Sequence, residues 1–179
     1  YVVVLGAGPI GIFCLQVARA AGASVVYVSE PLSNRQEAAL KLGADEVFDP
    51  TKMDIVDKMV SLTEGLGPDL VFDCAGVGPT VDQALNMARR NGQVMLLAVP
   101  WKQISVLPVD WMAREVELQS TFGARPVDWR IAMDLIQSGK VDIDSILSED
   151  GFIPLDRIQE AFESLTKPTT QLQMVVKMD

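Results

Sequence analysis

The sequence predicts an α/β fold, a doubly wound parallel sheet of six main strands in the order 3-2-1-4-5-6. Three observations carry that prediction. Short apolar runs alternate with segments of helical periodicity along the chain. The glycine-rich hexapeptide Gly6-Ala7-Gly8-Pro9-Ile10-Gly11 joins the first apolar run to the first helical segment. An acid, Glu30, closes the second apolar run about 20 residues after the last of those glycines. Strands that alternate with helices pair in parallel through right-handed crossovers, which leaves few other arrangements.

The elements follow in order. Residues 2–5 are continuously apolar and end at Gly6, as expected of a strand buried on both faces. A helix is predicted from Pro9 to about Ala21, with Ile10, Phe13, Cys14, Val17, Ala18 and Ala21 as its inner stripe. Pro9 suits a first turn, where its missing N–H is no loss. Residues 24–28 read as the second strand, and 32–42 as a helix stopped by a left-handed Gly43. Glu46-Val47-Phe48 is a short third strand ended by Asp49-Pro50, and a third helix covers about 53–63. Leu70-Val71-Phe72 is the fourth strand. Thr80 is the expected cap of a helix with Val81, Ala84, Leu85 and Ala88 inward; Arg89 and Arg90 sit at its negative end, with Gly92 beyond.

Residues 93–99 form the fifth strand, and Ile104–Leu107 is a candidate for a short extra one before a helix-like stretch, Asp110–Arg114. The sixth main strand falls within Glu115–Phe122. Helices near 127–138 and 155–165 follow, the second with Leu155, Ile158, Phe162 and Leu165 inward, and Met174-Val175-Val176 is a last short strand. No repeat, low-complexity stretch or Gly/Ser linker marks an internal boundary.

Composition narrows the function classes. The 179 residues fit one domain, and 49% hydrophobic with 22% charged residues is an ordinary globular balance. A net charge of −9 disfavours a nucleic-acid partner, and no run of 18 apolar residues suggests a membrane span. Cys14 and Cys74 are too far apart in sequence for a metal-binding spacing. Histidine is absent, so within this chain neither imidazole base catalysis nor a zinc site using His is available. The chain opens on Tyr1-Val2-Val3-Val4-Leu5 without a starter Met or lead-in, and is expected to be a piece of something longer.

The hexapeptide is a GxGxxG in the right context, between a strand and a helix. In a Rossmann arrangement Gly6 permits the tight turn, Gly8 lets a pyrophosphate approach the backbone, and Gly11 lets helix and strand pack closely. The free N–H groups and dipole of the first helical turn then face the phosphates. A carboxylate at Glu30 can accept hydrogen bonds from both hydroxyls of an adenosine ribose and would repel a 2′-phosphate, which favours NAD over NADP. Its other reading is a solvated loop acid. Arg35 faces the same pocket if residues 31–35 turn; it either bonds the ribose, covers the adenine, or is a solvated helix arginine, and an arginine there can also bind a 2′-phosphate.

With the hexapeptide, Ser29-Glu30-Pro31, Lys41-Leu42-Gly43-Ala44-Asp45 and Phe72-Asp73-Cys74-Ala75-Gly76, the chain resembles the medium-chain dehydrogenase/reductase superfamily. Ser-Glu-Pro and Ala98-Val99-Pro100-Trp101 make it most similar to the zinc-dependent alcohol and polyol dehydrogenases, such as butanediol, sorbitol and threonine dehydrogenases. The resemblance spans the whole chain, including the tail Ile153-Pro154-Leu155-Asp156-Arg157-Ile158. It implies that residues 1–179 are the NAD(P)-binding domain, and that a catalytic domain preceding it carries the zinc ligands and most of the substrate pocket. The implied reaction is hydride transfer between an alcohol carbon and nicotinamide, with zinc polarising the oxygen. None of the residues for that step is in this chain, so no catalytic or metal-binding residue is expected here, and the chain alone is expected to be inactive.

Carried over by the resemblance, Gly6, Gly8, Pro9, Ile10 and Gly11 would hold the pyrophosphate, Glu30 and Arg35 the adenosine ribose, and Pro31 with Ala75 the adenine. The backbone of Leu97, Ala98 and Val99 would lie along the nicotinamide, joined by Ser120 and Phe122; Trp101 and Phe122 would border the substrate. Cys14 and Cys74 read as core packing. The tail departs from the pattern at Gln171-Leu172-Gln173, where relatives carry a cation able to reach the pyrophosphate. The resemblance further implies a cytoplasmic homodimer, with a tetramer as the alternative, whose edge strand near Ser105–Leu107 pairs with its twin. Two other readings stay open: a zinc-free NADPH quinone or enoyl reductase of the same superfamily, and a nucleotide-sensing domain with no chemistry. A flavin in place of nicotinamide is a weaker alternative.

Overall fold

The computed structural model of the chain describes residues 1–147, 151–165 and 171–178. Its centre is a parallel sheet built from β1 (Val2–Leu5), β2 (Val26–Ser29), β3 (Glu46–Phe48), β4 (Leu70–Asp73), β5 (Gln93–Leu96) and β6 (Glu117–Ser120). The order is 3-2-1-4-5-6, as the alternation of elements predicts. The crossovers are α1 (Pro9–Ala20), α2 (Ser33–Lys41), α3 (Ile55–Leu62) and α4 (Gly78–Met87), with α5 (Pro108–Met112) leading into β6. Helix α6 (Pro126–Gln137) follows the sheet. A two-stranded parallel pair, β7 (Phe152–Pro154) with β8 (Val175–Lys177), brackets α7 (Ile158–Leu165).

The sheet separates two hydrophobic layers. Val3 and Leu5 point into one, with Ile55, Met59, Leu85 and Met87 from α3 and α4. Val2 and Val4 point into the other, with Ile12, Leu15 and Ala39 from α1 and α2. All four β1 residues are buried, which explains why their run shows no polar alternation. Full burial of such a side chain contributes roughly 1.5–3 kcal/mol.

The phase of α1 differs from expectation. Its buried positions are Gly11, Ile12, Leu15, Gln16 and Ala18, whereas Ile10 and Val17 are exposed. The helix is apolar on most of its circumference, so periodicity alone does not choose the face. Close packing at Gly11 does: a Cβ there would sit 1.9 Å from the Gly6 carbonyl oxygen.

The end of β4 and both ends of α4 also differ. The N-cap of α4 is Val77, and Thr80 lies inside the first turn, its hydroxyl 2.9 Å from both the Val77 carbonyl and Asp73 Oδ1. At the other end Arg89 pairs with Asp69 at 2.6 Å and Arg90 with Glu115 at 3.2 Å. The open carbonyls of α4 are taken instead by Arg114, which donates to Leu85, Asn86 and Ala88 at 2.7, 3.1 and 2.6 Å. The left-handed residue beyond the helix is Asn91, with φ 55°, not Gly92. Gly43 is a left-handed helix end as predicted, and Gly139 is another.

Residues 104–107 form no strand; Ile104 and Val106 pack against the first hydrophobic layer and the edge of the sheet is β6. The 155–165 helix begins as a 3-10 turn over Leu155–Arg157, and Leu155, Phe162 and Leu165 are exposed rather than inward. The strand β7 has no counterpart in the sequence reading, because Phe152-Ile153-Pro154 is too short to show a period.

At the amino ends of the strands α1 is tied to the loop before β3 by an ion pair. Arg19 pairs with Asp45 and donates to the Gly43 carbonyl at 2.8 Å. Asp45 in turn accepts from the Val26 N–H at 2.7 Å. At the carboxyl ends the loops are glycine-rich and enclose a crevice.

Candidate dinucleotide-binding site

The crevice opens where the chain order reverses, between β1 and β4, the place where doubly wound sheets bind ligands. Gly6 leaves β1 with φ +92°, a conformation that favours glycine. Gly8 is the N-cap of α1 and Pro9 opens its first turn. The nearest atom to a Cβ on Gly8 would be Arg35 Nη1 at 3.9 Å, so the space beside this backbone is open. Gly11 instead lies against the Gly6 carbonyl, as the close-packing role predicts.

Glu30 follows β2 directly and is buried, only 3% exposed. Its Oε2 accepts from the Ala7 N–H at 2.8 Å and its Oε1 from the Leu32 N–H at 3.0 Å. Its own carbonyl accepts from the Gln36 amide at 2.6 Å. The carboxylate thus ties the phosphate loop to the start of α2. The solvated-acid reading is excluded by this burial. Arg35 stands on the first turn of α2 and its Nε is buried with no hydrogen-bond partner among the described residues.

These loops enclose a cavity of about 480 Å³. Gly6, Gly8, Glu30, Pro31, Arg35 and Ala75 line it together, from three separate loops and the first turn of α2. Pro9, Ile10 and Gly11 form the adjoining helix start rather than the wall of this cavity. Leu97, Ala98, Val99, Ser120 and Phe122 lie outside it as well, at the ends of β5 and β6. The Leu97 and Ala98 N–H groups donate to the Asp73 carbonyl at 3.0 and 3.1 Å, and Phe122 is 94% exposed.

Several lining residues are not site residues in the sequence reading: Leu32, Val77 and Gln83, together with Pro50, read as a strand end, and Thr80, read as a helix cap. Cys74, read as core, is half-buried and also lines the cavity. A hydrogen bond to Cys14, with burial, pushes the Cys74 thiol up, while that of Cys14 is lowered by the same bond. Asp73 is buried, 1% exposed, and is no site residue in the sequence reading. The signal that marks it is a carboxylate ending an apolar strand, two residues before a small-residue turn.

Among the described residues no group of three His, Cys, Asp or Glu side chains is placed to hold a metal ion. No described helix is long and apolar enough to cross a membrane. In the tail, Gln173 donates to the Met174 carbonyl at 3.2 Å.

Residues 9–138 match a family model described as zinc-binding dehydrogenase. D-arabitol-phosphate dehydrogenase of Enterococcus avium is 31% identical over 166 residues, covering 92% of this chain and 47% of that protein. The crystal structure of 2R,3R-butanediol dehydrogenase from Bacillus subtilis superposes with a TM-score of 0.89 at 29% identity, over 99% of this chain and 50% of that one. A Sinorhizobium meliloti protein bound to NADP gives a TM-score of 0.84 at 33% identity, over 98% of this chain and 51% of that one. The chain therefore spans about half the length of the relatives it matches.

Proposed function

The chain belongs to the zinc-binding dehydrogenase family, and from that membership we propose that it is the dinucleotide-binding half of an oxidoreductase acting on secondary alcohols or polyols. The names of its relatives, arabitol-phosphate and butanediol dehydrogenases, support that substrate class. The bound dinucleotide would supply the hydride acceptor. What this chain supplies is binding and orientation.

The observation that carries the reading is the pairing of an open Gly8 backbone with a buried Glu30 around one cavity. The start of α1 presents N–H groups and a positive dipole end to a pyrophosphate, with Gly6, Gly8, Pro9 and Ile10 around it and Gly11 behind. A carboxylate has roughly four acceptor directions, so Glu30 can hold Ala7 and Leu32 and still accept from ribose hydroxyls. Arg35 would lie over the adenosine end, and Pro31 and Ala75 would flank the adenine. Leu97, Ala98 and Val99, with Ser120 and Phe122, would line the nicotinamide side. We place NAD ahead of NADP because a 2′-phosphate would have to sit beside the buried Glu30 carboxylate.

The donor set of the described residues does not fit zinc. Any zinc of the whole protein would be held by residues outside this chain. We also propose a cytoplasmic homodimer in which the segment Ser105–Leu107, which forms no strand within one chain, pairs with its twin; light scattering showing only monomer at high concentration would count against the pairing.

The reading is tested with the full-length protein, by titrating NADH and NADPH and following fluorescence. NADH should bind at least about tenfold more tightly than NADPH, and Glu30→Ala should narrow that ratio. Binding of neither to folded protein would overturn it. A preference for NADPH in the wild type would favour the zinc-free reductase reading instead.

A further inference from the structure

We propose that Asp73 is the positioning residue of the crevice, fixing through its two ends the loops that meet the two halves of the dinucleotide. The inference rests on the dinucleotide reading above. Asp73 is the last residue of β4, in register with Leu5 of β1 and Leu96 of β5, so it stands at the reversal of strand order. Its side chain is buried and reaches forward. Oδ1 accepts from the N–H of Ala75 and of Gly76, both at 3.1 Å, and from the Thr80 hydroxyl at 2.9 Å. Its carbonyl oxygen reaches sideways and accepts from the Leu97 and Ala98 N–H groups. One residue thus holds the loop after β4 and the loop after β5.

Those loops are packed so that movement in one is felt by the others. Gly76 has φ +65°, and a Cβ on it would come within 2.7 Å of Ala98 Cβ. On the other flank, a Cβ on Gly6 would meet Ala75 Cβ at 3.2 Å. The Ala75-Gly76 turn is therefore wedged between the phosphate loop and the loop after β5. The donors that set its position all converge on a single oxygen. Asp73 itself does not line the cavity, whereas Ala75 and Thr80, which it holds, do. Its action on a ligand is consequently indirect, through the placement of Ala75 and the spacing of Gly6 from Ala98.

The test uses the full-length protein and compares wild type with Asp73→Ala, Asp73→Asn and Thr80→Val. NADH and ADP-ribose are titrated, and thermal unfolding is followed in parallel. Asp73→Ala should lose between about tenfold and a hundredfold in affinity, for ADP-ribose as much as for NADH, because three donors lose their acceptor. Asp73→Asn keeps that acceptor oxygen and should restore affinity to within about threefold of wild type. Thr80→Val removes one donor and should cost a few-fold. Undiminished affinity in Asp73→Ala, or an equal loss in Asp73→Asn, overturns the proposal. Should Asp73→Ala fail to fold, Thr80→Val decides, and wild-type affinity in that variant overturns it. A wild type that binds neither ligand refutes the dinucleotide reading itself, and the proposal with it.

Discussion

The buried carboxylate of Glu30 accepts a hydrogen bond from the Ala7 N–H at 2.8 Å. A residue expected only to meet a ribose is thus also a strut between β1 and β2. Glu30→Ala should therefore lose stability as well as cofactor preference, because the Ala7 and Leu32 N–H groups lose their acceptor. The expected loss is about 1–3 kcal/mol in urea unfolding without cofactor. An unchanged midpoint would show that water replaces the carboxylate freely.

Gly8 and Gly11 should respond differently to the same substitution. Gly11→Ala drives a methyl into the Gly6 carbonyl oxygen and should cost on the order of 3 kcal/mol or more of stability. Gly8→Ala meets only Arg35 at ordinary contact distance, so stability should fall by about 1 kcal/mol at most, the ordinary penalty for alanine at an N-cap. Its dinucleotide affinity should nevertheless fall sharply, since the methyl stands where a pyrophosphate would approach. Paired unfolding and binding curves separate the two outcomes.

Arg114→Ala should destabilise without touching the crevice. It removes donors from three carbonyls at the end of α4, at the amino-end edge of the sheet. A loss of about 2 kcal/mol is expected, because the guanidinium both bonds those carbonyls and opposes the negative end of the helix dipole. NADH affinity of the folded variant should equal that of wild type. A selective loss of affinity would contradict this division.

Acid stability should depend on Asp49. The Thr51 hydroxyl above all, then Lys52 and the Thr51 N–H, hold its carboxyl down from 3.8 to about 2. A depressed carboxylate stabilises the fold above its unfolded value and loses that contribution as pH falls through its folded value. The window is therefore about pH 4 down to about pH 2. Thermal midpoints of wild type should fall across it, and those of Asp49→Asn should fall less steeply. Parallel curves would exclude the contribution.

Much of this architecture is legible in the residues. Strand order follows from the alternation of runs, and the turn at Gly6 and the stop at Gly43 follow from glycine positions. What the sequence hides are features set by neighbours distant along the chain. The face of α1 is chosen by the approach of Gly11 to Gly6, not by its nearly uniform apolar pattern. The cap of α4 comes from Arg114, which is 26 residues from the Ala88 it holds. The cavity lining of Leu32, Pro50 and Gln83 exists only because loops from separate strands converge. Glu30 and the glycines stood out because their chemistry is local; Asp73 did not, because its partners are defined by a turn.

The parallel sheet also gives the molecule a polarity of tasks. Ionic ties such as Arg19–Asp45 and Arg89–Asp69 sit at one rim, and the glycine loops at the other. Strength and selectivity are thereby written into opposite rims of one sheet. A tether or reporter placed in the Gly65-Leu66 turn, where Leu66 is 72% exposed and a Cβ on Gly65 would meet no atom within 4 Å, would grip the molecule by its handle and leave its working end free.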